Sequence, residues 1–110
     1  MQALALPDLV DQQLAAARAA HSGRAAHTVY GGHGHFLRQT LIALAAGNGL
    51  GEHDSPGEAT LQVLRGHVIL RVGQDSCEGS AGDYLVIPLA RHSLDAVQDS
   101  AVLLTVLADR

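Results

Sequence analysis

The sequence holds 110 residues, 47% hydrophobic and 16% charged, with a formal net charge of -4. That is enough apolar material for one domain with a single core. All seven basic residues are arginine, scattered from Arg18 to Arg110 without a run that could follow a phosphate backbone, so nucleic acid is excluded as an expected partner.

In chain order, the first segment, MQALALPDLV, has no basic residue before Arg18 and is interrupted by Pro7 and Asp8. It therefore does not read as a secretory signal. No later stretch approaches the roughly 20 apolar residues needed to span a bilayer, so no membrane is expected either. The single cysteine, Cys77, cannot form an internal disulfide, and the expected location is the cytoplasm.

Residues 7 to 20, PDLVDQQLAAARAA, predict an amphipathic helix, with Pro7 in the first turn and Asp8 and Asp11 at the end the helix dipole favours. Leu6, Leu9, Val10, Leu14 and Ala17 recur at helical spacing as a narrow apolar stripe, and Ser22-Gly23 supplies the stop. A lone helix of this length is marginal in water, so the stripe must pack against the rest of the domain or a partner chain.

From His27 the texture changes to short apolar runs divided by glycine-containing breaks. HTVY, FLRQTLIALAAG, EATLQVLRG, HVILRVG, DYLVIP, HSLDAV and AVLLTVLA each read as strands, about seven in all, with GG, GNG, SPG, GQDS, EGSAGD and QDS between them. FLRQTLIALAAG also keeps a helical spacing through Leu37, Leu41 and Leu44, but flanking glycines and the lack of a capping residue favour strand. HVILRVG alternates, with His67, Ile69 and Arg71 on one side and Val68, Leu70 and Val72 on the other. AVLLTVLA is apolar on both faces and must be covered on both, by the domain or by a second subunit. The chain divides into an N-terminal helical segment, 1–26, and an all-β domain, 27–110, of sandwich or barrel type.

Two segments resemble the paired motifs of the cupin superfamily: GLGEHDSPGEATLQVLRG and, after two more strands, GDYLVIPLARHSLDA. The resemblance spans about residues 36–107 and implies a double-stranded β-helix, or jelly-roll barrel, here with one N-terminal α-helix. It also implies the homodimer common in that superfamily, and in many members a divalent metal held by histidines and a glutamate. Gly66, Gly82 and Pro88 keep the scaffold spacing of the motifs. The ligand positions depart from it: the first histidine falls on His53, the second on Ser55, and the glutamate on Ala59 with Glu58 beside it. In the second motif Ala90 replaces a glycine, His92 comes one residue early, and no asparagine follows.

A His-x-His pair on a strand turns both rings to one side, where they can share a metal, and Ser55 breaks that pair. Glu58, one residue out of phase, should point to the opposite face unless a bulge resets it. Tyr30-Gly31-Gly32-His33-Gly34-His35 contains an intact His-x-His. His33 or His35 with His53 and His92 would supply three imidazoles and an open position, as in a catalytic centre. Imidazole-rich ligation suits zinc, iron, nickel or copper, and a barrel without metal is the other expectation. Arg38, Gln39 and Gln62 are polar residues within apolar strands and candidates to hold a small polar or anionic ligand. Arg38 and Gln39 must face opposite ways, and an inward Arg38 suits a carboxylate or phosphate. Neither a nucleophile motif nor a phosphate loop running into a helix is present. The sequence leaves two classes open: a small-molecule-binding cupin with a reduced or absent metal site, and a metal-dependent oxygenase or isomerase using His53, His92 and a third ligand.

Overall fold

The apolar stripe of the N-terminal segment becomes α1 (Leu6–Ala19), with Pro7 in its opening turn, Asp8 in its first turn and Arg18 in its last. The computed structural model describes residues 1–55 and 57–108. Val10, Leu14 and Ala17 are buried against Leu41, Ala43 and Ala101 of the sheet beneath. The partner that the helix requires is thus the domain itself. The helix ends when Ala20 turns extended, and Gly23, at φ +70°, completes the reversal into the first strand.

Nine strands follow among the described residues: β1 (Arg24–Tyr30), β2 (Leu37–Leu44), β3 (Gly49–His53), β4 (Ala59–Arg65), β5 (His67–Val72), β6 (Asp75–Ser80), β7 (Tyr84–Ile87), β8 (His92–Ala96) and β9 (Ser100–Leu107). They form two antiparallel sheets, ordered β1-β2-β9-β4-β7 and β3-β8-β5-β6. This is a jelly-roll arrangement whose two sheets face each other across a shared core without closing into a barrel. Strand alternation places the core. Ala59, Leu61 and Val63 of β4 point inward and are buried, and Val68 and Leu70 of β5 meet them from the other sheet.

The alternation expected of HVILRVG holds, with Val68 and Leu70 buried and Arg71 exposed. AVLLTVLA is β9, an interior strand of the larger sheet: Val102 faces the core, while Ala101, on the opposite face, lies under the helix. FLRQTLIALAAG is β2, a strand. Two strands escape the sequence reading. In β3, GLGEH, the glycines mask any alternation. In β6, DSCEGS, only Gly79 is buried, because this polar strand forms the edge of its sheet. A Cβ at Gly79 would sit tightly against the Val63 and Leu85 side chains, at 3.1 and 3.3 Å.

Two polar contacts lock the turns at the closed end. Asp99 accepts the Ala46 N–H at 2.8 Å and the Arg18 Nε–H at 2.6 Å, joining the helix end to two interstrand turns. These bonds, the backbone one first, hold the Asp99 carboxyl below its ordinary value. Ser100, fully buried, accepts the His67 N–H at 3.0 Å and donates to the Gln98 carbonyl at 2.8 Å. Gly66 stands against it at φ +87°, where a side chain would collide with Ser100 and the Asp99 carbonyl.

Candidate functional site

At the opposite end of the sandwich the two sheets part around a cavity of about 410 Å³. Its walls are mainly inward-facing aliphatic side chains, among them Ile42, Leu61, Leu70, Leu94 and Leu104. Polar groups are few: Arg38 and Thr40 from β2, His53 and Asp54 at the end of β3, and His92 at the start of β8. Arg38, Thr40 and Ile42 reach the same space because they are two residues apart on one strand.

His53 and His92 are paired across the β3–β8 ladder, so two histidines 39 positions apart come face to face. Their ring centroids are 4.4 Å apart with planes at 63°. His92 is buried, at 4% exposure, whereas His53 is exposed at the rim. Each ring is fixed in the same way. His53 Nδ1 lies 2.8 Å from the Gly51 carbonyl, and His92 Nδ1 lies 2.9 Å from the Ala90 carbonyl. A carbonyl can only accept, so each Nδ1 carries the hydrogen, and each neutral ring keeps its lone pair on Nε2. The pair therefore offers two oriented basic nitrogens at the cavity.

The rim is held by charge. Arg91 donates from Nε to Glu52 at 2.8 Å and from its terminal nitrogen to Asp54 at 3.3 Å, bridging the ends of β8 and β3 next to both histidines. The Glu52 hydrogen bond, followed by the Asp54 charge, raises the Arg91 pKa still further. All three side chains are more than half exposed, so the clamp positions the rim more than it stabilises the fold.

The other expected site residues are dispersed. Glu58 is exposed while its neighbour Ala59 is buried beside Ile87, so the carboxylate points away from the cavity as the strand phase requires. Ser55 donates to the Gly57 carbonyl at 3.0 Å, a local turn contact. His33 and His35 are exposed in the loop between β1 and β2, and the His35 ring stacks edge-on against Tyr30 at 5.5 Å. Among the described residues, no group of three or more His, Cys, Asp or Glu side chains is arranged to hold a metal ion. Of the three polar strand residues, only Arg38 borders the cavity. Gln39 and Gln62 are corrected by the period of two: Gln39 donates to Thr105 on the outer face at 3.1 Å, and Gln62 is exposed between buried Leu61 and Val63.

Thr40 and the Arg91 clamp are the residues that sequence reasoning missed. Thr40 was legible as the same-face neighbour of Arg38. Arg91 was not, because its two acidic partners lie 37 and 39 positions away.

Compared with protein-family models and with curated proteins, the sequence finds no match. Solved structures do resemble it. A conserved protein of unknown function from Streptococcus pyogenes is 26% identical, with a TM-score of 0.72 over 83% of this chain and 79% of that one. An RmlC-like cupin protein from Desulfovibrio desulfuricans is 25% identical, with a TM-score of 0.66 over 76% and 81%. The salicylate 1,2-dioxygenase from Pseudaminobacter salicylatoxidans superposes at a TM-score of 0.74 with 19% identity; the match covers 90% of this chain but 33% of the enzyme. That last likeness is one of fold alone.

Proposed function

We propose that this chain, which has the fold of the cupin superfamily, binds a small anionic molecule with an apolar body in the cavity between its sheets. Its solved neighbours, cupin proteins among them, support the superfamily assignment. The observation that carries the functional reading is the composition of the cavity: aliphatic walls, with a guanidinium from Arg38 on one strand and two basic nitrogens from His53 and His92 on others. Such walls desolvate an apolar body, and the few polar groups orient a carboxylate or phosphate head. The ligand expected from the sequence, polar or anionic, is thereby narrowed to an amphiphilic one.

Titration calorimetry with hexanoate and with benzoate tests this reading. Wild-type protein binds both, and Arg38→Gln weakens binding by about 1.5–3 kcal/mol, the range for a hydrogen bond to a charged group. Equal affinity in wild type and Arg38→Gln would remove the anion-binding role.

A second reading, a metal-dependent oxygenase or isomerase, is favoured by one observation. Both imidazoles are pinned through Nδ1–H to backbone carbonyls, the arrangement that readies Nε2 as a metal ligand. Zinc, iron, nickel or copper would suit these two donors. A catalytic centre takes three protein ligands, and Asp54, the acidic residue at the cavity, is engaged by Arg91. The donor set is thus incomplete for such a centre. Elemental analysis of untagged protein decides between the readings: stoichiometric metal lost in a His53→Ala, His92→Ala double variant would establish the second.

A further inference from the structure

Along one side of the sandwich the inner face of β1 is uncovered. Ala26 and Thr28 pair with Ile42 and Thr40 and face inward with them, yet both are exposed. The result is a slot of about 370 Å³ between the edge strands β1 and β3. It shares Thr40, Ile42, Leu50 and Leu104 with the cavity, and so continues it sideways. At its far end stands Arg24. Opposite Leu44 of the shared core, Arg24 leaves β1 on the inner face, and its guanidinium reaches across the seam to the Gly49 carbonyl of β3 at 3.5 Å, a long and weak bond. Among the described residues that line the slot, Arg24 alone is charged. Arg18, Arg65, Arg71 and Arg91 are each paired with a carboxylate, whereas Arg24 has no carboxylate partner among the described residues.

We infer that cavity and slot together bind a long α,ω-dicarboxylate, with one head at Arg38 and the other at Arg24. The inference rests on the preference proposed above for an anion with an apolar body, and adds a second anionic head to that ligand. A chain anchored at Arg38 crosses the aliphatic wall and emerges through the slot, where a second carboxylate meets a guanidinium that lacks an acidic partner. The register sets the length. Arg38 and Leu44 lie on one strand, and Arg24 sits beside Leu44, so at about 3.4 Å per residue and about 4.8 Å between strands the two arginine Cα atoms are about 21 Å apart. Contacts of about 2.8 Å at each end and the reach of two flexible side chains leave about 13–18 Å between the carboxylates. An extended chain advances about 1.2 Å per bond, which corresponds to about twelve to sixteen carbons.

Titration calorimetry on matched pairs tests this: octanoate with octanedioate, dodecanoate with dodecanedioate, and hexadecanoate with hexadecanedioate. The readout is the ratio of the monocarboxylate Kd to the dicarboxylate Kd. In wild type it should be about ten or more for the two longer pairs, the gain from one further charge-assisted contact, and about two at most for the eight-carbon pair, which cannot reach both arginines. Arg24→Gln should bring the longer pairs down to the eight-carbon value, and Arg24→Glu should push their ratio below one. The chain-length dependence in wild type is an independent measurement should either variant fail to fold. A ratio of about two or less at every length would overturn the inference while leaving the cavity's preference intact, and so would a gain that survives both variants. Absence of binding by both members of every pair would overturn the cavity reading and this inference together.

Discussion

The amphiphilic-ligand reading makes a quantitative prediction about chain length. In a series of straight-chain carboxylates from acetate to hexadecanoate, the head stays near Arg38 and each added methylene moves from water onto the aliphatic wall until the space is full. Burying one methylene contributes about 0.8 kcal/mol, or roughly a fourfold drop in Kd per carbon. The gain stops when the space is full. A cavity of about 410 Å³ divided by the roughly 30 Å³ that a water-sized group occupies in a liquid gives room for about fourteen non-hydrogen atoms, two of them the carboxylate oxygens. Titration calorimetry should show affinity rising to about twelve carbons and then levelling. Val106→Phe, which adds about four carbon atoms to a cavity-lining side chain, should bring the plateau correspondingly earlier. A flat series, or binding of phosphate or succinate as tight as that of octanoate, would refute the assignment of the aliphatic wall as the ligand surface.

Two further expectations concern the scaffold. Gly66→Ala puts a side chain into Ser100 and the Asp99 carbonyl at a backbone angle of φ +87°; it should cost at least about 2 kcal/mol and lower Tm by about 8–16 °C in a thermal melt, while an unchanged Tm would contradict the packing of that turn. Asp99→Asn tests the lowered carboxyl pKa. A group whose folded pKa is depressed stabilises the fold above its unfolded value, ordinarily 3.8, and loses that contribution as pH falls through the folded value. Wild type should therefore melt higher than the variant at pH 6, and the difference should shrink steadily below pH 3.8; a difference that grows in acid would reverse the sign of the argument.

The larger features of the fold were legible because they depend on local periodicity. The apolar stripe of 7–20, the glycine breaks and the alternation of HVILRVG each state a period and a boundary within a few residues. The strand period of two also sufficed to predict that Arg38 and Gln39 would part, whereas Glu58, a candidate metal ligand if a bulge reset its phase, is not among the residues that line the cavity. What failed locally was β6, a polar edge strand with no buried face to impose alternation, and β3, where glycines remove the side chains that would show it. The resemblance to cupin motifs marked His53 and His92, although Ser55 and Ala59 had emptied the positions around them.

The sequence by itself determined the alphabet of the molecule: one helix, a set of short strands, four candidate histidines and a scarcity of charge. Only the tertiary structure decided which of these meet. Cross-strand register sets His53 against His92 and places Arg91 between Glu52 and Asp54. The same register turns Arg24, opposite Leu44, to the inner face at the seam between the sheets. Register is a relation between segments distant along the chain, fixed by the collective burial of both sheets' inner faces, so no local window of residues contains it.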